Sequence, residues 1–289
     1  MNHLLKKTIL HLTKYIPDQP YLRIMYRVVT KKKLHLNPPI TFNEKLQWLK
    51  LHNRKPEYTS MVDKYEVRDY VSKRVGAQYL IPCLGIWETP KDIDFSKLPD
   101  KFVLKCTHDC KGLVICKDKK TFDTNAAIAQ LNHALKRNFY YQGREWPYKN
   151  VKPRIVGEMY MEDAGTNQLT DYKVFNFHGE PKLIEVDYDR FNGHKRQFFD
   201  PKWNSMNISF HHPSDTERII PKPEKLNEML LLAKELSKGI PHLRTDFYIV
   251  DNQIYVGEMT FYHGTGMGRW TPDSFDRTMG EWLDLTLCE

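Results

Sequence analysis

The chain has 289 residues, 40% of them hydrophobic and 28% charged, with a net charge of +8; this is globular composition, and no apolar run approaches the ~18 residues that a membrane-spanning helix needs. The N-terminus carries neither the long apolar stretch nor the small-residue cleavage site of a secretory signal, so a cytoplasmic location is expected. The cysteines, Cys83, Cys106, Cys110, Cys116 and Cys288, are odd in number and irregular in spacing, which argues against a disulfide framework, and the absence of a CxxC pair argues against zinc.

Charge is uneven along the chain. Residues 1–55 hold twelve Lys/Arg against Asp18 and Glu44, a net +10, which leaves −2 for the remainder. Leu4, Leu5, Ile9, Leu12 and Ile16 can share one helix face, with Lys6, Lys7 and Lys14 elsewhere, and Lys31 to Lys33 form a second basic cluster. Two readings fit: a helix lying on an anionic membrane surface or beside a lipid-linked glycan at the inner face of the membrane, or a solvated helix packed on the body by its apolar face. Nucleic acid is not expected, because no reader motif or aromatic-basic strand accompanies the charge.

Residues 37–40 (NPPI) forbid helix, and Thr41-Phe-Asn-Glu44 reads as a capping box for a helix carrying Leu46, Trp48 and Leu49 and ending near Pro56. A second helix is expected over 59–75, with Asp63 and Lys64 in its first turns and Gly76 as its stop. Short strands follow at 80–87, 102–106 and 113–116, then a helix over 124–136 and a strand over 154–161. Strands 172–177 and 183–187 form a hairpin through His178-Gly-Glu-Pro181. After a proline-marked loop and a helix over 224–238, the chain closes on strands 243–250 and 254–259, joined at Asp251-Asn252. Hairpins alternating with helices predict an α+β fold with predominantly antiparallel sheets.

The closing hairpin is the most informative segment. Alternation puts Asp246 on one face of its strand and Glu258 and Thr260 together on one face of the next, so the two acids fall within about two residues of each other across the pair. Opposed acids on an apolar hairpin repel unless a cation lies between them, and Mg²⁺ suits oxygen donors. The bland reading is that one acid faces solvent or pairs with Arg244. In the second segment, Lys105 ends a buried strand and is followed by a polar turn, Cys-Thr-His-Asp-Cys-Lys-Gly112, and a return strand, the layout of a hairpin that folds over phosphates. Most such lysines simply end a strand.

Taken together, FNEKLQWLK (42–50), VDKYEVRDYV (62–71), KFVLKCTHDCKG (101–112), VGEMYMED (156–163), DYKVFNFHGEPKLIEVDYDR (171–190), LRTDFYIVDNQIYVGEMTFYHGTG (243–266) and the P-D-S-F-D-x-x-x-G pattern (272–280) resemble the ATP-grasp superfamily, in its branch named for the teichuronopeptide biosynthesis protein TupA. The resemblance implies two α/β lobes gripping ATP, with a basic helical region over 1–60, a lid lobe over 61–157 and a metal- and substrate-binding lobe over 158–289. It implies that Lys64 and Lys105 grip phosphates, that Glu158 meets the adenine amino group while Met159, Tyr160 and Met161 offer backbone to the base, and that Asp171 takes the ribose and Lys173 faces the phosphates. Asp246 and Glu258 are the implied Mg²⁺ ligands, with Thr260 where Asn is common. One departure stands out: Asp109, Cys110 and Lys111 fill a lid turn that is usually rich in glycine, leaving only Gly112.

The implied reaction is ATP-dependent joining of a carboxylate to an amine through an acyl phosphate. Arg244 and Arg190 are candidates for clamping the carboxylate, unless they are structural ion pairs. The glycine-rich run His263-Gly264-Thr265-Gly266 stands where the amine acceptor binds, and His263 either orients the amine or caps the loop. The family association points to an amino acid joined to a uronic acid of a capsular or cell-wall glycan. A glycosyltransferase is the rival reading, resting on Asp187-Tyr-Asp189 as a DxD-like motif, and a catalytically dead nucleotide-binding protein is a third, resting on the altered lid turn.

Overall fold

A computed structural model describes residues 13–109, 112–162, 169–188, 195–210 and 218–288. Most of the basic N-terminal stretch (residues 1–12), Cys110, Lys111, Asp189 and Arg190 lie outside the described residues. Helix α1 (Asp18–Thr30) is not expected from the sequence; it buries Tyr21, Leu22, Tyr26 and Thr30, a stripe blurred by exposed Ile24, Val28 and Val29. Helix α2 (Phe42–His52) opens with both halves of the expected capping box: Thr41 Oγ1 accepts from the Glu44 amide and the Glu44 carboxylate accepts from the Thr41 amide. Such a cap stabilises by about 1 kcal/mol.

The single helix expected over 59–75 is instead two, α3 (Glu57–Val62) and α4 (Val67–Arg74). Between them Asp63 is extended, and its carboxylate accepts from the amides of Tyr65 and Glu66 while pairing with Arg154 at 2.9 Å. A side chain that caps backbone amides competes with helix continuation. Lys64 therefore sits on a fixed turn rather than within a helix.

Strands β1 (Cys83–Trp87), β2 (Phe102–Cys106) and β3 (Leu113–Cys116), helices α5 (Thr124–Leu135) and α6 (Tyr140–Gly143), and strand β4 (Ile155–Met159) follow. The strands form an antiparallel sheet in the order β1-β4-β2-β3. Alternation sends Phe102, Leu104 and Cys106 into a small core with Ala127, Leu131 and Ala134 of α5, and puts Lys105 on the opposite face.

The second sheet is built from β5 (Asp171–Phe177), β6 (Glu180–Tyr188), β7 (Lys195–Phe199), β8 (Ser205–Met206), β10 (His242–Val250) and β11 (Gln253–Thr260), antiparallel throughout in the order β11-β10-β5-β6-β7-β8. Between its strands the chain also forms β9 (Ser209–Phe210) and α7 (Leu226–Ser237), the latter packing on β5, β6 and β10 through Met229, Ala233 and Leu236. The chain does not end on the β10–β11 hairpin. It continues through a tight turn, His263–Gly266, into β12 (Trp270–Thr271), which pairs with β9, and α8 (Ser274–Trp282).

Helix α2 packs on α8, where Gly280 approaches so closely that a Cβ there would lie 2.2 Å from the Ile40 carbonyl. Phe42 at the start of α2 stacks against Phe177 and His242 of the large sheet. Among the described residues three apolar clusters result: a large one around the six-stranded sheet, a smaller one under the four-stranded sheet, and a third in which Tyr21, Leu22 and Tyr26 of α1 pack with Leu34 and Met267. Among the described residues no helix is long and apolar enough to cross a membrane.

Candidate active site

The central strands of the large sheet bring charged residues onto one face. Asp246 is the direct cross-strand partner of both Glu258 on β11 and Lys173 on β5, and Lys173 is in turn opposite Glu185 on β6. One row along, Arg244 faces Thr260, and in the other direction Asp171 faces Asp187, which faces Arg196 of β7. A bulge at Gly257 shifts the β10–β11 register beside Asp246, and a Cβ at that glycine would lie 2.6 Å from the Tyr248 ring. Bulges of this kind re-aim the next side chain, here Glu258.

These groups form a continuous chain of ion pairs and hydrogen bonds. Arg244 donates from Nε and Nη2 to the two oxygens of Asp246 at 2.7 Å each, and from Nη2 to Thr260 Oγ1 at 3.1 Å. Its Nη1 lies 2.8 Å from His263 Nδ1. Because guanidinium can only donate, Nδ1 is the acceptor and the ring proton sits on Nε2, 3.8 Å from Glu185. Arg196 Nε lies 2.7 Å from both Glu185 and Asp187, and Lys173 bridges Asp187 at 2.8 Å and Asp171.

Burial and these partners set the protonation states. Burial pushes Asp246 up to about 7 against the pull of Arg244 and Lys173, and it also raises Glu185. Asp187 is buried too, but Lys173 and Arg196 hold it well below the usual carboxylate range. Burial, with Arg244 and Arg196 nearby, keeps His263 neutral far below its usual range. His263 thus meets Arg244 as a neutral acceptor through Nδ1.

The opposite wall forms where the four-stranded sheet meets α3 and α4, which pack on the large core. The Lys64 amide donates to Thr107 O at 3.2 Å, and Arg154 stitches the same turn by pairing with Asp63 and Glu66. That anchoring brings Lys64 Nζ to 3.4 Å from Glu258 Oε1. Lys105 Nζ lies 2.6 Å from Glu158 on the neighbouring strand. The Met159 amide is taken by the Pro82 carbonyl at 3.0 Å, and Tyr160 and Met161 continue past the end of β4.

The described residues of the turn between β2 and β3 are packed inward. Asp109 is buried and paired with Arg137 just beyond α5, so its charge is neutralised behind the hairpin. Gly112 is buried as well; a Cβ there would lie 2.6 Å from Cys106 Sγ, so tight packing accounts for this glycine.

The donor set of the Asp246–Glu258 pair fits a hard divalent cation. Among the described residues no group of three His, Cys, Asp or Glu side chains is arranged around a metal position, but Mg²⁺ commonly takes only one or two carboxylates and completes its shell with waters and phosphate oxygens. Two opposed carboxylates and the Thr260 hydroxyl are of that kind. Arg244 and Lys64 now neutralise them, and Arg244 must share Asp246 with any bound ion.

A model of the TupA-like ATP-grasp family matches residues 44–284, most of the chain. This protein belongs to that family. Among solved structures, the ATP-grasp chain resembles D-alanine–D-alanine ligase of Bacillus anthracis complexed with ATP (14% identity, 70% of this chain, 54% of that one, TM-score 0.41). It also resembles the ATP-grasp ligase PsnB complexed with a phosphomimetic variant of minimal precursor, Mg and ADP (9%, 85%, 66%, 0.45), and D-alanine–D-alanine ligase of Helicobacter pylori (13%, 83%, 67%, 0.43). The chain thus spans from about half to about two thirds of the length of these structures. No curated protein matches its sequence.

Within this ATP-grasp chain, Asp171, Lys173, Arg244, Asp246, Glu258, Thr260 and His263 share the sheet face, with Lys64 reaching them from the turn. Lys105 and Glu158 form a separate pair, Gly112 is packed away from both, and Arg190 lies outside the described residues. Arg196 and Glu185 complete the network without being expected as site residues from the sequence, and Asp187, expected only within the rival DxD-like motif, instead pairs with Lys173 and Arg196 from strand β6. Alternation of Glu185 and Asp187 along β6 was the available signal, whereas the Lys-Arg-Gln pattern opening β7 carries no strand signal.

Proposed function

We propose that this protein is an ATP-dependent carboxylate–amine ligase that forms an amide and releases ADP. Family membership supports the reaction class, and the observation that carries it to particular residues is the direct pairing of Asp246 with Glu258 between the cations Arg244 and Lys64. ATP would supply the phosphoryl group that turns a carboxylate into an acyl phosphate, with Mg²⁺ offsetting the charge of the phosphates. Asp246 and Glu258, with the Thr260 hydroxyl, would hold that ion. Lys64, Lys105 and Lys173 would bind phosphate oxygens, and Glu158 with Met159, Tyr160 and Met161 the adenine, Asp171 taking the ribose hydroxyls.

Arg244 would orient the carboxylate through its planar donors, as guanidinium does for carboxylates generally. The His263–Gly266 turn borders the acceptor side, where an amine attacks and where water must be kept out.

For substrates we propose a uronic acid of a capsular or cell-wall glycan as the carboxylate and an amino acid as the amine. The ligase would work in the cytoplasm, with the basic N-terminal region docking at an anionic membrane face or lipid-linked glycan. The test is mass spectrometry of ATP-dependent products from a panel of uronic acids and amino acids. Loss of one water on joining, with release of ADP, is expected; glycosidic transfer from a nucleotide-sugar without an ADP-linked amide would contradict the ligase reading.

A further inference from the structure

The turn that borders the acceptor side is held in a costly conformation. Gly264, Thr265 and Gly266 have φ of 54°, 59° and 59°, three consecutive left-handed residues. For Thr265 this is unfavourable, because a β-branched side chain crowds the backbone there. Such a conformation persists only where the surroundings over-determine it.

Those surroundings come from α2. Lys50 is wholly buried, and its ammonium donates to Thr265 O at 2.7 Å, Gly143 O at 2.8 Å and Gln47 Oε1 at 3.1 Å, which uses all three of its N–H bonds. Gln47, also wholly buried, donates to Thr265 O at 3.0 Å and Gly266 O at 2.6 Å. The Lys50 ammonium also lies 5.5 Å from the Tyr262 ring centre. Among the described residues no carboxylate pairs directly with Lys50, and the charge acting on it is that of buried Glu145, which hydrogen-bonds to Thr265. Burying an ammonium among neutral acceptors is costly, and here one of its bonds, together with two from Gln47, goes to carbonyls of the left-handed turn.

We propose that Lys50 is a positioning residue for the acceptor side of the site, a role that rests on the ligase reading above. It fixes the Thr265 carbonyl and with it the left-handed turn. The turn begins at His263, whose ring packs on Phe210 and Phe175 at centroid distances of 4.2 and 4.8 Å and accepts from Arg244. Lys50 thereby sets both the border of the amine pocket and the aim of Arg244 without touching either substrate.

The experiment compares wild type with Lys50→Met, which keeps the chain length and removes the donors. Steady-state kinetics should show the KM for the amine rising about tenfold or more while the KM for ATP stays within about twofold. Hydrogen exchange at the Thr265 and Met267 amides, which donate within the turn to Tyr262 O and Gly264 O, should accelerate by about tenfold relative to the amides of α2. Should Lys50→Met fail to fold, Gln47→Ala removes two of the bonds to the turn while leaving the Lys50 ammonium in place with its Thr265 and Gly143 acceptors, and is expected to move both readouts in the same direction. Equal rises in both KM values, or unchanged exchange at the turn, would overturn the assignment. If wild type ligates no amine, the ligase reading fails, while exchange that accelerates only at the turn still upholds Lys50 as its clamp.

Discussion

The floor of the large sheet and the wall that faces it carry their charges in different ways. On the floor, Lys173, Arg196 and Arg244 are each bonded to buried carboxylates, with Glu185 0% and Asp187 1% exposed. On the wall, Lys64 reaches Glu258 at 3.4 Å, and Glu258 itself is 34% exposed. The floor charges are paired within the packing of the sheet, so Lys173 and Arg244 must share any ligand with the carboxylates they already hold, whereas Lys64 on the wall meets a partly exposed carboxylate at a longer distance. Preorganised charge costs little reorganisation during reaction.

The largest expected effect is on the floor. Arg196→Met leaves Glu185 and Asp187 short of a cation, and breaking a buried pair from one side costs about 3–5 kcal/mol. A fall in unfolding free energy of that size in urea is expected. A loss under about 1 kcal/mol would mean that the network is solvated, and the contrast with the wall would collapse.

On the wall the same kind of change should cost the fold less, because one carboxylate rather than two loses its partner. Lys105→Ala is expected to weaken ATP binding by about 1.5–3 kcal/mol, the worth of a charge-assisted bond, and to lower the thermal midpoint by less than Arg196→Met does. Calorimetric titration checks it, and unchanged ATP affinity would move the nucleotide away from this wall.

A smaller effect sharpens the comparison through pH. His242, two residues before Arg244 on β10, is pushed down to about 3 by burial, and its Nδ1–H donates to the Asn176 carbonyl. A depressed folded value means that the neutral ring's stability is fully present above the unfolded value of 6.5 and is lost as pH falls from there towards about 3. One proton limits the slope to about 1.4 kcal/mol per pH unit. Subtracting the pH profile of His242→Asn from that of wild type should isolate this slope, and coincident profiles would remove His242 as its source.

What could be read in advance follows the range of the interactions involved. That Asp246 and Glu258 lie near each other was legible because a two-residue turn at Asp251-Asn252 joins their strands, but their direct pairing was not, since the turn's register alone would set Asp246 opposite Gly257 and the bulge there brings Glu258 into place; the capping box of α2 was legible because its partners are three residues apart. The break between α3 and α4 was not, since Arg154, 91 residues from Asp63, helps to hold it. Lys50 reads as a solvated helix residue until Gly143 and Thr265 supply its acceptors. Arg196 belongs to a short strand whose first residues lack alternation, so its place beside Glu185 came only from sheet order.

The central claim is that Asp246 and Glu258 hold a divalent cation together with the nucleotide on a preformed floor. Calorimetric titration of ATP with and without Mg²⁺, into wild type and Glu258→Gln, tests it most directly. We predict that Mg²⁺ tightens ATP binding to wild type by about tenfold or more, and that Glu258→Gln loses this gain while binding metal-free ATP no more weakly and unfolding at the same temperature. The same Mg²⁺ dependence in wild type and variant would contradict the account.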